Sequence, residues 1–453
     1  MAAQILAICI FVGMFLLIIL DKFERCYITL ASGALVLALV FGVCMHSMSA
    51  IWGTLNLPSI FTSGFWYGAS EEGNSGINWS TIFFIAGMMI MVEGLGKAGF
   101  FRWLCLTLAK LVRYRIVPLL VCFMVLSAVL SMFIDSITVV LFLATVTLEL
   151  AQTMKFNPIP MILSEIFCAN LGGAATMCGD PPNIIVGTSL GYTFFDFISN
   201  TGVAVAICFV LVLIYFVLCF RKRLLRDEKN SGAAVCPQPG TAITNRPAFL
   251  LSAGVFLLAV ILLATHAQTK LTVACIGVIV AALSLVVIGC TSGGKAVLEI
   301  IKGVDYKTLL FFIGLFVSVA GLKETGVLDV IARFITTVSG GNAAIIVVII
   351  LWISAVTSAF VDNIPFAATM IPVVRSIAAA SGIDMGVLAW ALSLGTDLGG
   401  NATPIGASAN VVGTSVAAKG GYPISWGVYC KYCVGATVLV IAVSMGYLFL
   451  RYL

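Results

Sequence analysis

The chain has 453 residues, of which 61% are hydrophobic and 9% charged, with a mean hydropathy of +1.15 and a formal net charge of +5. Long apolar runs recur from end to end, which leaves no soluble domain to assign and makes this a polytopic membrane protein. Unpaired backbone groups cannot face hydrocarbon, and the runs are continuous rather than alternating, so the spans are helices and the fold class is all-α.

The first run, Ala2–Leu20, lacks a basic leader and a small-residue cleavage site, and is read as the first span rather than a secretory signal. Lys22 and Arg25 follow it, while residues 46–78 carry no Lys or Arg. A span over 79–96 comes next, trailed by Lys97, Arg102, Lys110, Arg113 and Arg115. Residues 116–134 and 137–152 are two apolar arms joined at Asp135, with Arg115 and Lys155 at their outer ends. They are expected to dip in from the cytoplasm as a re-entrant hairpin, with two full spans as the alternative. The next apolar run contains GGAATMCGDPPN (172–183), whose glycines and paired prolines must interrupt a helix. RKRLLRDEK (221–229) opens a cytoplasmic linker over 221–246, and its basic residues suit an anionic membrane surface. Beyond it the same order returns, with a span beginning beside Lys302 and Lys307, a hairpin over 344–380 with its tip at Asp362 and Asn363, and a second breaker cluster, GGNATPIGASAN (399–410).

The two halves are copies at a shift of 227 residues. Thr81, Phe84, Gly87, Val92, Gly94, Leu95 and Gly99 fall on Thr308, Phe311, Gly314, Val319, Gly321, Leu322 and Gly326. The same shift carries Ser131, Phe133, Asp135 and Ile137 onto Ser358, Phe360, Asp362 and Ile364, and Gly172, Gly173, Thr176, Gly179 and Asn183 onto Gly399, Gly400, Thr403, Gly406 and Asn410. Shared apolar composition would not hold glycines, aspartates and asparagines in register across three blocks, so the chain is a first transmembrane repeat (1–220), the linker (221–246) and a second repeat (247–453). Placing the basic loops in the cytoplasm puts the amino terminus outside and makes the matched spans run in opposite directions. The repeats are therefore expected to be inverted.

A helix broken at mid-membrane exposes N–H groups on one side of the gap and carbonyls on the other, and is tolerated only against a cavity or protein. The amides suit an anion; the carbonyls and the Asn, Ser and Thr oxygens suit a cation. Two breaks at equivalent positions, each beside an acidic hairpin tip, are read as halves of one central site. Solute contacts are expected from Gly173, Thr176, Asn183, Gly400, Asn401, Thr403, Ser408 and Asn410, and ion coupling from Asp135, Ser136, Asp180, Asp362, Asn363 and Asp397. An intramembrane aspartate costs about 2.5–3.5 kcal/mol on insertion scales, so each one needs a reason. The plainer alternatives are a hairpin N-cap for Asp135 and Asp362, a turn carboxylate for Asp180, which has Ala407 as its counterpart, and a structural hydrogen bond for Asp397, which aligns with Asn170. Glu149 is read as a bundle contact, Glu165 as that or a pathway residue, and Arg375 as snorkelling to the interface.

At GGAATMCGDPPNIIVG, SAFVDNIPFAATMIPVV and LGGNATPIGASANVVGTSVAAKGGY the chain resembles the ion transporter superfamily. Within it, the resemblance is to the group of arsenite permeases, D-type sodium/proton antiporters and the P protein, with its citrate-transporter-like domain. The resemblance implies helical hairpins meeting broken helices at a central site, ion-coupled movement of a small solute, and a homodimer with an elevator-like motion. Related dicarboxylate/sodium symporters carry Ser-Asn-Thr at their hairpin tips where this chain has Asp135-Ser136 and Asp362-Asn363, so a Krebs-cycle dicarboxylate is not the expected solute.

The expected function is a secondary transporter of a prokaryotic plasma membrane, moving a small inorganic anion or arsenite-like metalloid coupled to Na+ or H+. Na+/H+ antiport is the alternative and a passive channel the remoter one. No catalytic constellation stands out, and the Gly-x-Gly-Asp signature of intramembrane aspartyl proteases is missing. Fourteen cysteines scattered through apolar helices look like small packing residues, and the single CxxC, Cys430 to Cys433, has no second pair to complete a metal site. The expected partners are the lipid bilayer, a small inorganic ion or organic anion, and a second copy of the chain, with no nucleic acid; Na+ is expected only as a coupling ion, with no other cofactor.

Overall fold

A computed structural model describes residues 1–20, 22–68, 76–230 and 237–453, so residues 231–236 of the linker lie outside the described residues. The chain is helical throughout. In the first half α1 (Ala2–Leu20) is followed by α2 (Arg25–Leu35), which continues as π-helical turns over Val36–Cys44, and then by the short α3 (Met48–Leu55) and α4 (Ser63–Trp66). Next come α5 (Trp79–Lys97), α6 (Phe100–Leu111), the hairpin arms α7 (Ile116–Ser131) and α8 (Ser136–Met154), the broken pair α9 (Ile159–Gly173) and α10 (Pro181–Leu190), α11 (Phe194–Phe197) and α12 (Val203–Asn230). The second half comprises α13 (Arg246–Thr269), α14 (Val273–Ser292), α15 (Gly294–Gly303), α16 (Tyr306–Glu324) and α17 (Val327–Val338). It ends with the arms α18 (Ala343–Ser358) and α19 (Asn363–Ser381), the broken pair α20 (Met385–Gly399) and α21 (Ser408–Lys419), and α22 (Trp426–Tyr452). Among the described residues, ten helices are long and apolar enough to cross a membrane.

Matched residues start matched helices. The side chain of Asn78 accepts the Thr81 N–H at the head of α5, and Asp305 accepts the Thr308 N–H at the head of α16, each supplying an acceptor to an otherwise orphan donor. Gly99 and Gly326 turn the chain into α6 and α17 with φ of 85° and 74°, a left-handed region open to glycine without strain.

The elements sort into two groups by packing. In one, α5 lies along α14 and α16 along α2, with Thr29 and Gly33 against Gly314 and Val36 against Gly321. In the other, each first hairpin arm lies along a broken helix, α7 on α9 and α18 on α20. That approach is closest at matched glycines: a Cβ on Gly172 would sit 2.1 Å from the Ala128 carbonyl oxygen, and one on Gly399 2.3 Å from the Ala355 Cα. Glycine is what lets the arm and the broken helix touch backbone to backbone.

Candidate functional site

Each hairpin turns over on an aspartate. At the first tip Asp135 caps α8, one carboxylate oxygen accepting the Thr138 N–H at 3.0 Å and the other the Thr138 hydroxyl at 2.7 Å. At the second tip the residue matching Thr138 is Pro365, which offers neither group. Asp362 accepts the Ile364 N–H at 3.3 Å instead, and its other oxygen accepts the Ser408 hydroxyl at 2.8 Å and Arg25 Nη1 at 2.7 Å.

Each break is sewn shut by an asparagine. Asn183 Nδ2 donates to the carbonyls of Gly173 and Thr176 at 3.2 and 3.1 Å, and Asn410 Nδ2 donates to those of Gly400 and Thr403 at 2.7 and 2.8 Å. The threonine hydroxyls then tie each break to its own hairpin, Thr176 donating to the Met132 carbonyl and Thr403 to the Ala359 carbonyl. Carbonyls freed by the interruption thus find partners within the protein, as backbone groups in a membrane interior must.

The Asp180 side chain joins the two hairpin tips. Asp180, the residue before α10, accepts the Ser136 hydroxyl on one carboxylate oxygen and Asn363 Nδ2 on the other, both at 3.0 Å. Ser136 and Asn363 occupy equivalent positions at the heads of α8 and α19. Behind this junction the broken helices meet directly, with Asn170 Nδ2 donating to Asn410 Oδ1 at 2.8 Å and Asn401 Oδ1 at 3.0 Å. Asp397, the counterpart of Asn170, is fully buried beside the Asn183 side chain, and among the described residues neither of its oxygens has a hydrogen-bond partner within 3.5 Å. Ser393 donates to Asn183 Oδ1 in its stead.

Two cavities lie along the helices that carry the junction. The tip cavity, about 510 Å³, is lined by Asp135, Asp362, Pro181, Ser408, Phe84 and Phe311, which form matched pairs between the copies, and Lys22, Arg25 and Lys307 line it as well. The far cavity, about 380 Å³, is lined by Ser80, Thr188, Ser189, Lys323 and Arg375 among others. Four helices line both. α5 passes from the far cavity at Ser80 to the tip cavity at Phe84, whereas α16 passes from the tip cavity at Phe311 to the far cavity at Phe316; α10 and α19 also run from tip to far.

The residues expected to form the site therefore divide. Asp135 and Asp362 line the tip cavity, with Asp180, Ser136 and Asn363 bonded together beside it. Of the expected solute contacts, Ser408 lines the cavity, while Gly173, Thr176, Asn183, Gly400, Asn401, Thr403 and Asn410 lie in the stitched breaks behind it. Glu149 pairs with Arg102 at 2.6 Å. Glu165 is buried and accepts the Thr147 hydroxyl at 2.5 Å, its second oxygen unpartnered. Arg375 lines the far cavity and donates to the Ser189 carbonyl. Arg25 was not anticipated, because a cation just after a first span reads only as a topology signal and Asp362 is 337 residues distant.

Comparison with known proteins agrees with this architecture. The citrate transporter family profile matches residues 15–395. An uncharacterized transporter of Mycobacterium bovis is 32% identical over 451 residues, covering 99% of each chain, and a 46 kDa membrane protein of Mycobacterium leprae is 32% identical over 454 residues with the same coverage. The human P protein is 27% identical over 453 residues, which span 83% of this chain and about half (53%) of that protein. These matches bear out the resemblance read from the paired motifs. Among solved structures, the YdaH transporter of Alcanivorax borkumensis superposes with a TM-score of 0.57 at 15% identity, covering 94% of this chain and 96% of its own, and thus shares the fold. The MtrF structure of Neisseria gonorrhoeae superposes at 0.55 and 12% identity, covering 82% and 80%.

Proposed function

The chain belongs to the citrate transporter family, a family of membrane transporters, and from that premise we propose that it is a secondary active transporter moving a small anion or arsenite-like metalloid in obligatory coupling to Na+ or H+. The observation that carries this reading is the Asp180 carboxylate bonded to both hairpin tips beside a cavity lined by both capping aspartates. A cation or proton engaging that carboxylate changes the bonds to Ser136 and Asn363 together, so ion binding and the arrangement of the two copies are one event. Pro181 and Ser408 bring the N-terminal ends of α10 and α21 to the same cavity, where their dipoles favour an anion. Cation ligands and anion-attracting helix ends in one chamber suit coupled movement.

The opposite courses of α5 and α16 between the cavities support an inverted repeat. With the loops around Lys22, Lys302 and Lys307 placed in the cytoplasm of a bacterial cell, the tip cavity opens inward, the far cavity outward, and the amino terminus lies outside. The test is uptake into proteoliposomes of citrate, arsenite or phosphate under imposed Na+ or pH gradients. Accumulation above equilibrium, abolished when an ionophore collapses the gradient, is expected; solute that only follows its own gradient, without saturation, makes the protein a channel.

One observation favours a second reading, Na+/H+ antiport. Asp135, Asp180 and Asp362 gather at the junction, and the guanidinium that reaches them is already bonded to Asp362. Proton efflux on Na+ addition to vesicles free of any anionic solute would establish antiport in place of solute transport.

A further inference from the structure

Asp135 and Asp362 are equivalent in sequence but not in partners. Asp135 finds its donors within its own hairpin, at Thr138, and among the described residues no cation pairs with it. Asp362 faces Pro365 at the matching position and takes its second set of donors from outside its hairpin, the Ser408 hydroxyl and the Arg25 guanidinium. The Asp362 side chain is 5% exposed, so its charge is held away from solvent with a positive charge 2.7 Å away. Arg25 heads α2, which packs on α16 in the other group of helices, so its side chain reaches across the tip cavity to the hairpin.

We infer that Arg25 is a built-in cation that fills the coupling-ion position at Asp362, leaving the Asp135 half of the junction as the part that takes an exchangeable ion. The inference rests on the coupled-transport reading and assigns its ion to one copy of the repeat. A guanidinium cannot lose its proton in a protein, so this position stays filled whatever the pH. A mobile cation arriving at Asp362 would meet a like charge already bonded to the same oxygen. Remove the guanidinium, and a buried carboxylate oxygen remains beside the Ser408 hydroxyl and the backbone of the second tip, a set of hard oxygen ligands suited to Na+ or to a proton. The asymmetry between Thr138 and Pro365 is then functional: the aspartate bonded twice by its own hairpin's threonine is left to the exchangeable ion, and the aspartate that faces a proline is held by an arginine.

The experiment titrates Na+ against the thermal unfolding midpoint of the purified full-length protein at constant ionic strength, with proton uptake on acid addition measured in parallel. In a plot of the logarithm of the unfolding constant against the logarithm of Na+ concentration, the wild type is expected to reach a limiting slope of about 1 in magnitude and Arg25→Gln a slope of about 2 as a second position opens and fills. Arg25→Lys, which keeps a cation, is expected to match the wild type, and Arg25→Gln/Asp362→Asn to return to a slope of about 1. If protons are the coupling ion, Arg25→Gln is expected to take up one more than the wild type. A wild-type response that Arg25→Gln leaves unchanged in monodisperse protein overturns the inference alone, as does Arg25→Lys behaving like Arg25→Gln. An Arg25→Gln protein that keeps the wild-type ion response but loses stabilisation by citrate would make Arg25 a solute contact instead. A wild type that answers neither Na+ nor protons removes the coupled-transport reading, and this inference with it.

Discussion

Two buried carboxyls, Asp180 and Asp397, are expected to respond oppositely to replacement. Asp180 accepts from Ser136 and Asn363, and hydrogen bonds to a charged group contribute roughly 1.5–3 kcal/mol each. Asp180→Ala is therefore expected to lower the unfolding midpoint and to abolish gradient-driven uptake. Asp397 has no hydrogen-bond partner on either oxygen among the described residues, and its counterpart in the other copy is Asn170, whose amide bonds two neighbours. Asp397→Asn is expected to leave the midpoint at or above the wild-type value, because it removes an unpaired buried carboxyl, while gradient-driven uptake falls. A lowered midpoint with intact uptake would make Asp397 a structural residue. The sequence marked all these positions as polar groups in an apolar run, and it could not separate those facing a cavity from those facing backbone. Asn183, Asn410, Thr176 and Thr403 look like ligands for that reason, yet carbonyls released by the breaks claim the two asparagines and hairpin-tip carbonyls claim the two threonines. For Asp180, which has Ala407 as its counterpart, the sequence leaves an ion-coupling carboxylate and a turn carboxylate both open, because its bonds depend on both tips reaching one carboxylate.

At the scale of elements, the breaks were legible and the hairpins ambiguous. Pro181 and Pro182 can only begin a helix there, and Gly172 and Gly173 end the one before it, so chemistry local to the sequence places the interruption. The arms α8 and α19 have 19 residues each, long enough to cross a bilayer, and length alone does not distinguish a hairpin from two spans. What ties them into the site is tertiary, in the bonds from Thr176 and Thr403 to tip carbonyls 44 residues earlier. The glycine contacts beneath those bonds can be tested directly. Gly172→Ala would place a Cβ 2.1 Å from the Ala128 carbonyl oxygen, within reach only if α7 and α9 separate, and overpacking of this kind costs about 1–3 kcal/mol or more. The substitution is expected to reduce the monodisperse fraction in size-exclusion chromatography and to lower the unfolding midpoint. Gly254→Ala, where nothing lies within 4 Å, is the matched control expected to leave both unchanged. Wild-type behaviour of Gly172→Ala would contradict the contact between arm and broken helix.

Across the whole molecule, the same four helices line both cavities, the arrangement that alternating access would use. On α5, Ser80 lines the far cavity and Met89 the tip cavity, a separation of about 13 Å at 1.5 Å per residue. Between them the linings change over at Phe84 on α5, Ile184 on α10, Phe311 on α16 and Ile364 on α19, all apolar, so an apolar layer marks the boundary between the two linings on these helices. Phe84 and Phe311 are equivalent at the internal register of 227 residues, but only the structure shows that both line the tip cavity at the changeover. In a background without native cysteines, of which Cys178 itself lines the tip cavity, Met89→Cys is expected to react with a membrane-impermeant thiol reagent only from the side bearing Lys22 and Lys307. Ser80→Cys is expected to react only from the opposite side. Solute together with the coupling ion should change the two rates in opposite senses, because alternating access opens one cavity as it closes the other. A thiol at position 89 labelled equally fast from both faces, with no response to solute, would mean that the apolar layer does not seal and that the protein conducts passively.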